Sequence, residues 1–339
     1  GTLISNLNLI QNDSNDFILY VASEKINLKD YMDLISNKNN ETIGNKFIFN
    51  INSEQFLLPG GIEANGKING IFNNKDGLNA KLEGEVDING EIKIDKVELF
   101  ALLEKNRFEI EGEGLINLTP IKLVMEDNKE GSSKTLIISG DDAGNILRGL
   151  KITKLVEGGK VKISVFLNEE NYKDYSALID VSKFNVTNAP ILVRLISTLS
   201  LTGLLNLLEE KGIYFERGFA KINNLGNVMN LENIEAVGEA MAISLDGWIN
   251  KKNDILQIHG TIAPATLLNK LLEPVPLLND LLIGGDKAGI VLTEFRLDGS
   301  ISKPSISFRP LSSAPGLLRD IFNLFRSDLS NSKENNIQN

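Results

Sequence analysis

Cysteine is absent from this 339-residue sequence, and histidine occurs once, at His259. The first absence removes disulfides, thiolate metal sites and cysteine nucleophiles, and leaves the redox compartment unreadable. The second excludes a multi-histidine zinc site and obliges any Ser-His-Asp triad to be built around His259, so neither a metal site nor triad chemistry is expected. Aromatic residues make up only 6%, too few to suggest a sugar-stacking surface. No run reaches the roughly 18 uninterrupted apolar residues that a membrane-spanning helix needs. The greasiest stretch, NAPILVRLISTLSLTGLLNLL from Asn188 to Leu208, is broken by Arg194, Asn206 and several hydroxyls. Basic runs are missing too. The 35 Lys and Arg are dispersed among 45 Asp and Glu for a formal charge of −10, and phosphate binding needs a positive stripe, so nucleic acid is not an expected partner. Gly1 stands where an initiator Met would, so the sequence reads as a piece whose upstream signal or anchor would not be visible.

What is abundant is alternation. In GLNAKLEGEVDINGEIKID, Gly77 to Asp95, the apolar Leu78, Ala80, Leu82, Val86, Ile88, Ile92 and Ile94 fall on even positions and polar residues on odd ones. Period two over this length describes strands with one wet and one dry face, antiparallel in the usual case, with bends at Gly84 or Asn89-Gly90. Further strands are expected at Phe108–Leu118, Gly159–Leu167, Tyr175–Val186, Met241–Ile249, Leu256–Ile262, Ile290–Ile301 and Ser305–Phe308. Helical periodicity is confined to Leu28–Ser36, Asp141–Leu150, Pro190–Glu210, part of Ala265–Leu282, and Pro315–Phe325. Ser36–Gly44 and Glu126–Ser133 read as polar loops, the latter as a boundary between segments 1–130 and 131–326, and 327–339 reads as a disordered tail. There is no tight repeat of the kind a β-helix would show.

The expected architecture is therefore mainly β: an elongated, twisted antiparallel sheet with a few apolar helices in the C-terminal half. About a dozen strands at about 4.8 Å spacing make a sheet roughly 55 Å wide, whereas one helix about 10 Å across covers about two strands. The helices cannot hide the dry face. Either the sheet closes on itself as a sandwich, or it curls into a groove whose dry face meets an apolar ligand, since large bare apolar patches are rare.

Several constellations have plain structural readings. Asp141 and Asp142 suit a helix N-cap better than a cation site. His259, in LQIHGT, falls on the polar parity of its strand, and Gly158-Gly159 suits a turn with positive φ. The acids alternate along wet faces, so no pair stands out for glycoside hydrolysis.

Four stretches in order, DDAGNILRGLKITKLVEGGKVKI, NAPILVRLISTLSLTGLLNLLEEKGIYFERG, GTIAPATLLNKLLEPVPLLNDLLIGG and FRLDGSISKPSISFRPLSSAPGLLRDIF, resemble the C-terminal region of AsmA-like proteins over about residues 136 to 326. Glu273, Asn279 and Thr266 depart from that family's usual residues. The resemblance implies a bacterial bridge-like lipid transfer protein without cofactors or catalytic residues. It implies a long periplasmic β-groove, an inner-membrane anchor outside this chain, and a role in phospholipid movement toward the outer membrane and in outer-membrane homeostasis. Its partners would be phospholipid acyl chains, the membrane, and possible further envelope proteins.

On that reading the expected groove lining is Leu82, Val86, Ile88, Ile92 and Ile110, with Ile163, Val165, Ile179 and Ile243 on later strands. The helix carrying Ile191, Leu195, Leu199 and Leu204 is a plain core helix or a lid across the dry face. The helix carrying Leu317, Ile321, Phe322 and Phe325 docks on its own domain or touches a membrane interface. The rival class of function is a structural or assembly factor of the envelope, with a closed dry sandwich that binds another envelope protein.

Overall fold

The computed structural model describes residues 2–28, 46–58, 62–73, 76–104, 107–127, 134–167, 174–198, 205–206, 208, 211–264 and 293–310. The described residues are mainly strand, with two short helices. They fall into two units, Gly1–Asn185 with Asn223–Gly226, and Val186–Ile222 with Asn227–Asn339. The expected helices near Leu28–Ser36, Ala265–Leu282 and Pro315–Phe325 lie outside the described residues, apart from Leu28, as does the tail.

The first unit begins with β1 (Leu3–Gln11), β2 (Phe17–Asn27), β3 (Phe47–Leu58), β4 (Ile62–Asn73), β5 (Gly77–Ile88) and β6 (Ile92–Glu104). It continues with β7 (Arg107–Ile116), β8 (Thr119–Asp127), β9 (Lys134–Gly140), α1 (Ala143–Gly149), β10 (Val156–Glu157), β11 (Lys160–Leu167) and β12 (Tyr175–Val186). Each strand from β1 to β9 pairs with the next, β9 pairs with β11 and β11 with β12, so eleven strands stand side by side. Pairing continues from β8 to β9 across the segment read as a boundary.

One pair corrects the antiparallel expectation. β2 and β3 run parallel, with Phe17 beside Phe47 and Asn27 beside Leu57. A parallel return needs a long connection, and residues 28–46, read from sequence as a helix over Leu28–Ser36 and a polar loop over Ser36–Gly44, supply the length.

The expected turn at Asn89-Gly90 is present, with φ of 56° and 71°, and Gly90 N donates to Asp87 Oδ1 at 2.8 Å. Glu91 N donates to Ile88 O at 3.1 Å, so Asn89 and Gly90 are the central residues of a tight turn in which both take positive φ, within a three-residue loop between Ile88 and Ile92. Register shifts occur between Ser53 and Phe56, Gly84 and Val86, and Asp95 and Glu98, and they are grouped on neighbouring strands of β3 to β7. They mark two bulges, one extra residue on β3 between Ser53 and Phe56 and one on β6 between Ile94 and Glu98 that both β5 and β7 register; a bulge bends its strand and raises the local twist. Gly66 faces Gly84 on this line: a Cβ on Gly84 would lie 1.7 Å from Asn65 O, so only glycine permits the backbones to approach so closely.

Asp142 caps α1, its Oδ1 accepting from Asn145 N at 3.0 Å, and Asp141 pairs with Lys160 Nζ at 3.0 Å. α1 buries Ala143, Ile146 and Leu147, and packs on β7, β8, β10 and β11.

The second unit contains α2 (Pro190–Thr198), most of β13 (Ile213–Leu225), β14 (Val228–Val237), β15 (Met241–Asn250), β16 (Ile255–Pro264), β17 (Thr293–Gly299) and β18 (Ser305–Pro310). β14 to β18 pair antiparallel in sequence order. α2 buries Leu192, Leu195 and Ile196, and Arg194 Nη1 donates to Pro304 O at 3.3 Å. The arginine that breaks the apolar run thus satisfies a carbonyl of the strand connection after β17.

One turn breaks the local rules. Between β7 and β8, Asn117 and Leu118 take φ of 48° and 63°, and Leu118 is 83% exposed. Glycine is the usual second residue of such a turn, because a Cβ in the left-handed region costs about 1 to 2 kcal/mol. Leu118→Gly is expected to stabilise the protein by about 0.5 to 1 kcal/mol, read as a rise in the thermal midpoint; an unchanged or lower midpoint would show that the leucine packs usefully.

Candidate functional site

Strand pairing converts period-two alternation into rows that cross the first unit. One row runs from β1 to β6 through Leu7, Val21, Ile51, Ile68, Leu82 and Leu99. It continues from β7 to β12 through Gly112, Leu123, Ile138, Ile163 and Ile179. Two residues along each strand, a second row passes Leu9, Leu19, Phe49, Gly70, Ala80 and Ala101. It then passes Ile110, Met125, Leu136, Val165 and Ala177. Neither row contains a polar side chain across eleven strands. At about 4.8 Å per strand, each spans roughly 48 Å.

The margin beside the second row is aromatic over its first half: Phe17, Phe47 and Phe72 stand in line with Leu78, Leu103 and Phe108. Lys134 Nζ lies 5.0 Å from the Phe108 ring centroid. On the other flank, the buried Ser23 Oγ donates to Ser53 Oγ at 2.9 Å, and Ser53 Oγ in turn donates to Gln55 O at 3.0 Å, so both buried hydroxyls are satisfied.

The opposite face is polar in the adjoining positions. Its row through Asn52, Lys67, Glu83, Glu98, Glu113 and Lys122 carries charge of both signs. Lys81 Nζ reaches Glu83 Oε1 and Glu98 Oε1, each at 2.6 Å. Hydrogen bonds to the two carboxylates hold the Lys81 ammonium above its usual range, and the bond from Lys81 lowers Glu83. These groups are solvated, so they mark the wet face and add little stability.

Coverage of the dry face is uneven. Beside α1, Ile116, Ile121, Val161, Ile163 and Val181 are buried. Over β2 to β5 a cluster of Val21, Ile26, Phe56 and Ala64 is buried among half-buried neighbours. Between them Leu82, Leu99, Ala101 and Ile110 are half-buried, and α1 is the only helix of this unit among the described residues.

Of the expected lining residues, Leu82, Ile163 and Ile179 stand in the first row and Ile110 and Val165 in the second. Val86 faces Ala64 and Ile94, and Ile88 faces Ile62 and Ile92. Ile243 belongs to the second unit, where it faces Ala236 and Ile262. In α2, Ile191 is half-buried and Leu195 buried, while Leu199, Leu204, Leu317, Ile321, Phe322 and Phe325 lie outside the described residues.

Sequence reasoning missed Val97, Leu99, Ala101 and Leu103, whose parity is odd where Ile92 and Ile94 are even. The consecutive polar residues Asp95 and Lys96 carry the signal: Lys96 has φ of 49°, and the bulge there flips the rest of β6. The aromatic margin was equally invisible, since its residues come from strands distant in sequence.

In the second unit His259 is exposed, as its parity indicates, and lines a concavity of about 560 Å³ with Ser244, Asp246, Glu294 and Arg296. Its charges have local partners: Asp246 Oδ1 accepts from Asn233 N at 2.7 Å at a bulge, and Arg296 Nε meets Asp298 Oδ2 at 2.9 Å. Among the described residues no group of three His, Asp or Glu side chains is placed to hold a metal ion, and no helix is long and apolar enough to cross a membrane.

Two outcomes follow. Gly84→Val is expected to cost on the order of 2 to 4 kcal/mol, seen in urea unfolding, because its side chain meets the Asn65 carbonyl; a cost under about 0.5 kcal/mol would show that the glycine pair is dispensable. Tyr175, at the dry-face end of β12, has its phenol pushed up by burial. The ultraviolet titration difference between the protein and its Tyr175→Phe variant should therefore show ionisation above that of free tyrosine, and a free-tyrosine value would contradict an apolar setting.

No protein-family model, no curated protein and no solved structure matches this chain.

Proposed function

We propose that the dry face of the first unit is the lining of a groove for acyl chains, and that the protein binds or conducts phospholipid without catalysis. The carrying observation is the pair of unbroken apolar rows across eleven strands, half-buried in the middle with no described helix over them. The bulges and facing glycines on β3 to β7 supply the bending that a curled sheet needs. Curling would place the two rows along the groove floor and the phenylalanine row along one margin.

The energetics suit a hydrocarbon ligand. Burying each methylene is worth about 0.8 kcal/mol, so a dozen contribute on the order of 10 kcal/mol before the costs of binding. The rows offer no buried charge to discriminate between headgroups, so selectivity would rest on chain rather than on headgroup. Taken with the resemblance to AsmA-like proteins, the proposal is of a protein in a bacterial periplasm, held to the inner membrane by a segment outside this chain and serving the outer membrane.

The test exploits parity. A photoreactive residue at Ile110, on the dry face, should label co-purified phospholipid at least about tenfold more than one at the adjacent Glu111, on the wet face. Equal labelling at both positions, or native mass spectrometry showing no bound lipid, would overturn the reading in favour of an assembly factor with a closed sheet.

A further inference from the structure

The exposed Leu118 stands in a setting that gives it a use. Its turn is tied to α1 by a hydrogen bond from Asn117 Nδ2 to Asn145 O at 3.2 Å, so the tip of the β7–β8 hairpin lies against the end of the helix. The segment that follows α1 folds back, with Ile152 N donating to Leu147 O at 2.9 Å, and presents Ile152 and Leu155 at 42% and 41% exposure. Three aliphatic side chains are therefore exposed where the chain leaves the sheet, one of them on strained backbone with φ of 63°. Strain and exposure together are a cost that packing does not offset, and such outliers cluster at functional positions.

The charges here are separated along the chain. From Ala143 to Leu155 the sequence AGNILRGLKITKL has three cations, Arg148, Lys151 and Lys154, and no acid, while the acids on either side, Asp141, Asp142 and Glu157, balance them in number; Asp142 caps α1 and Asp141 pairs with Lys160. Lys151 and Lys154 are exposed and alternate with the exposed Ile152 and Leu155. Short aliphatic tips interleaved with cations suit the boundary of an anionic bilayer, where apolar ends enter the acyl layer and ammonium groups stay among headgroups.

We infer that the β7–β8 turn and the Lys151–Leu155 segment form a docking tip for an anionic lipid surface. The tip is distinct from the dry face and does not require that face to carry lipid. A partner protein would be expected to cover aliphatic side chains with a matched apolar pocket, whereas isolated tips flanked by cations need only a soft, negatively charged interface.

The experiment is flotation of the full chain with phosphatidylcholine vesicles made with and without phosphatidylglycerol. Binding is expected to the anionic vesicles only, weakened but not abolished by high salt. Leu118→Gly combined with Leu155→Ser should weaken it about tenfold or more. The Leu118→Gly change relieves the turn, so loss of binding with an unchanged or raised thermal midpoint separates docking from misfolding. Lys151→Glu with Lys154→Glu should abolish the binding. The inference is overturned if the intact chain does not float with anionic vesicles, or if either pair of substitutions leaves binding unchanged. Lipid labelling from Ile110 is read in the same samples, so failure of the tip and failure of the groove are told apart.

Discussion

Every backbone N–H and C=O of a strand must find a partner, and in the first unit that requirement is met by laying eleven strands edge to edge. Register is the consequence on which the rest depends. Side chains alternate with a period of two, so a slip of one residue would exchange Leu82 for Lys81 and turn the apolar row toward water. Opposition of Ile68, Leu82 and Leu99 on three neighbouring strands is thus a condition of folding at all, and the long apolar rows follow from it.

Bulges protect the arrangement where the sequence departs from alternation. At Asp95 and Lys96 two consecutive polar residues would otherwise reverse the faces of β6. Two residues there oppose one on a neighbour, so that Val97 to Leu103 rejoin the dry side. Gly66 and Gly84 remove the side chains that would hold β4 and β5 apart. The bulge on β6 therefore keeps the rows continuous.

Much of this was legible in advance. The strands at Gly77–Ile88, Tyr175–Val186 and Met241–Asn250, the hairpin at Asn89-Gly90 and the cap at Asp142 follow from alternation, turn chemistry and short-range hydrogen bonding, which need only neighbours in sequence. The parallel pairing of β2 with β3 was not legible, because nothing local distinguishes a strand's neighbour before the chain has returned to it. Nor was the strained turn at Leu118, where the expected glycine is replaced by a residue that local preference disfavours.

The sequence by itself determined which side chains share a face within each unbulged stretch of strand, because parity there is set by the geometry of the extended backbone. Only the tertiary structure decided which strand lies beside which. Through that it decided that Ile110 lines up with Ala101 and Met125, that the phenylalanines of β2, β3, β4 and β7 gather along one margin, and that the Asn117-Leu118 turn is tied to α1. Those neighbours come from distant segments brought together by the pairing of whole strands, and no periodicity within a single segment records them.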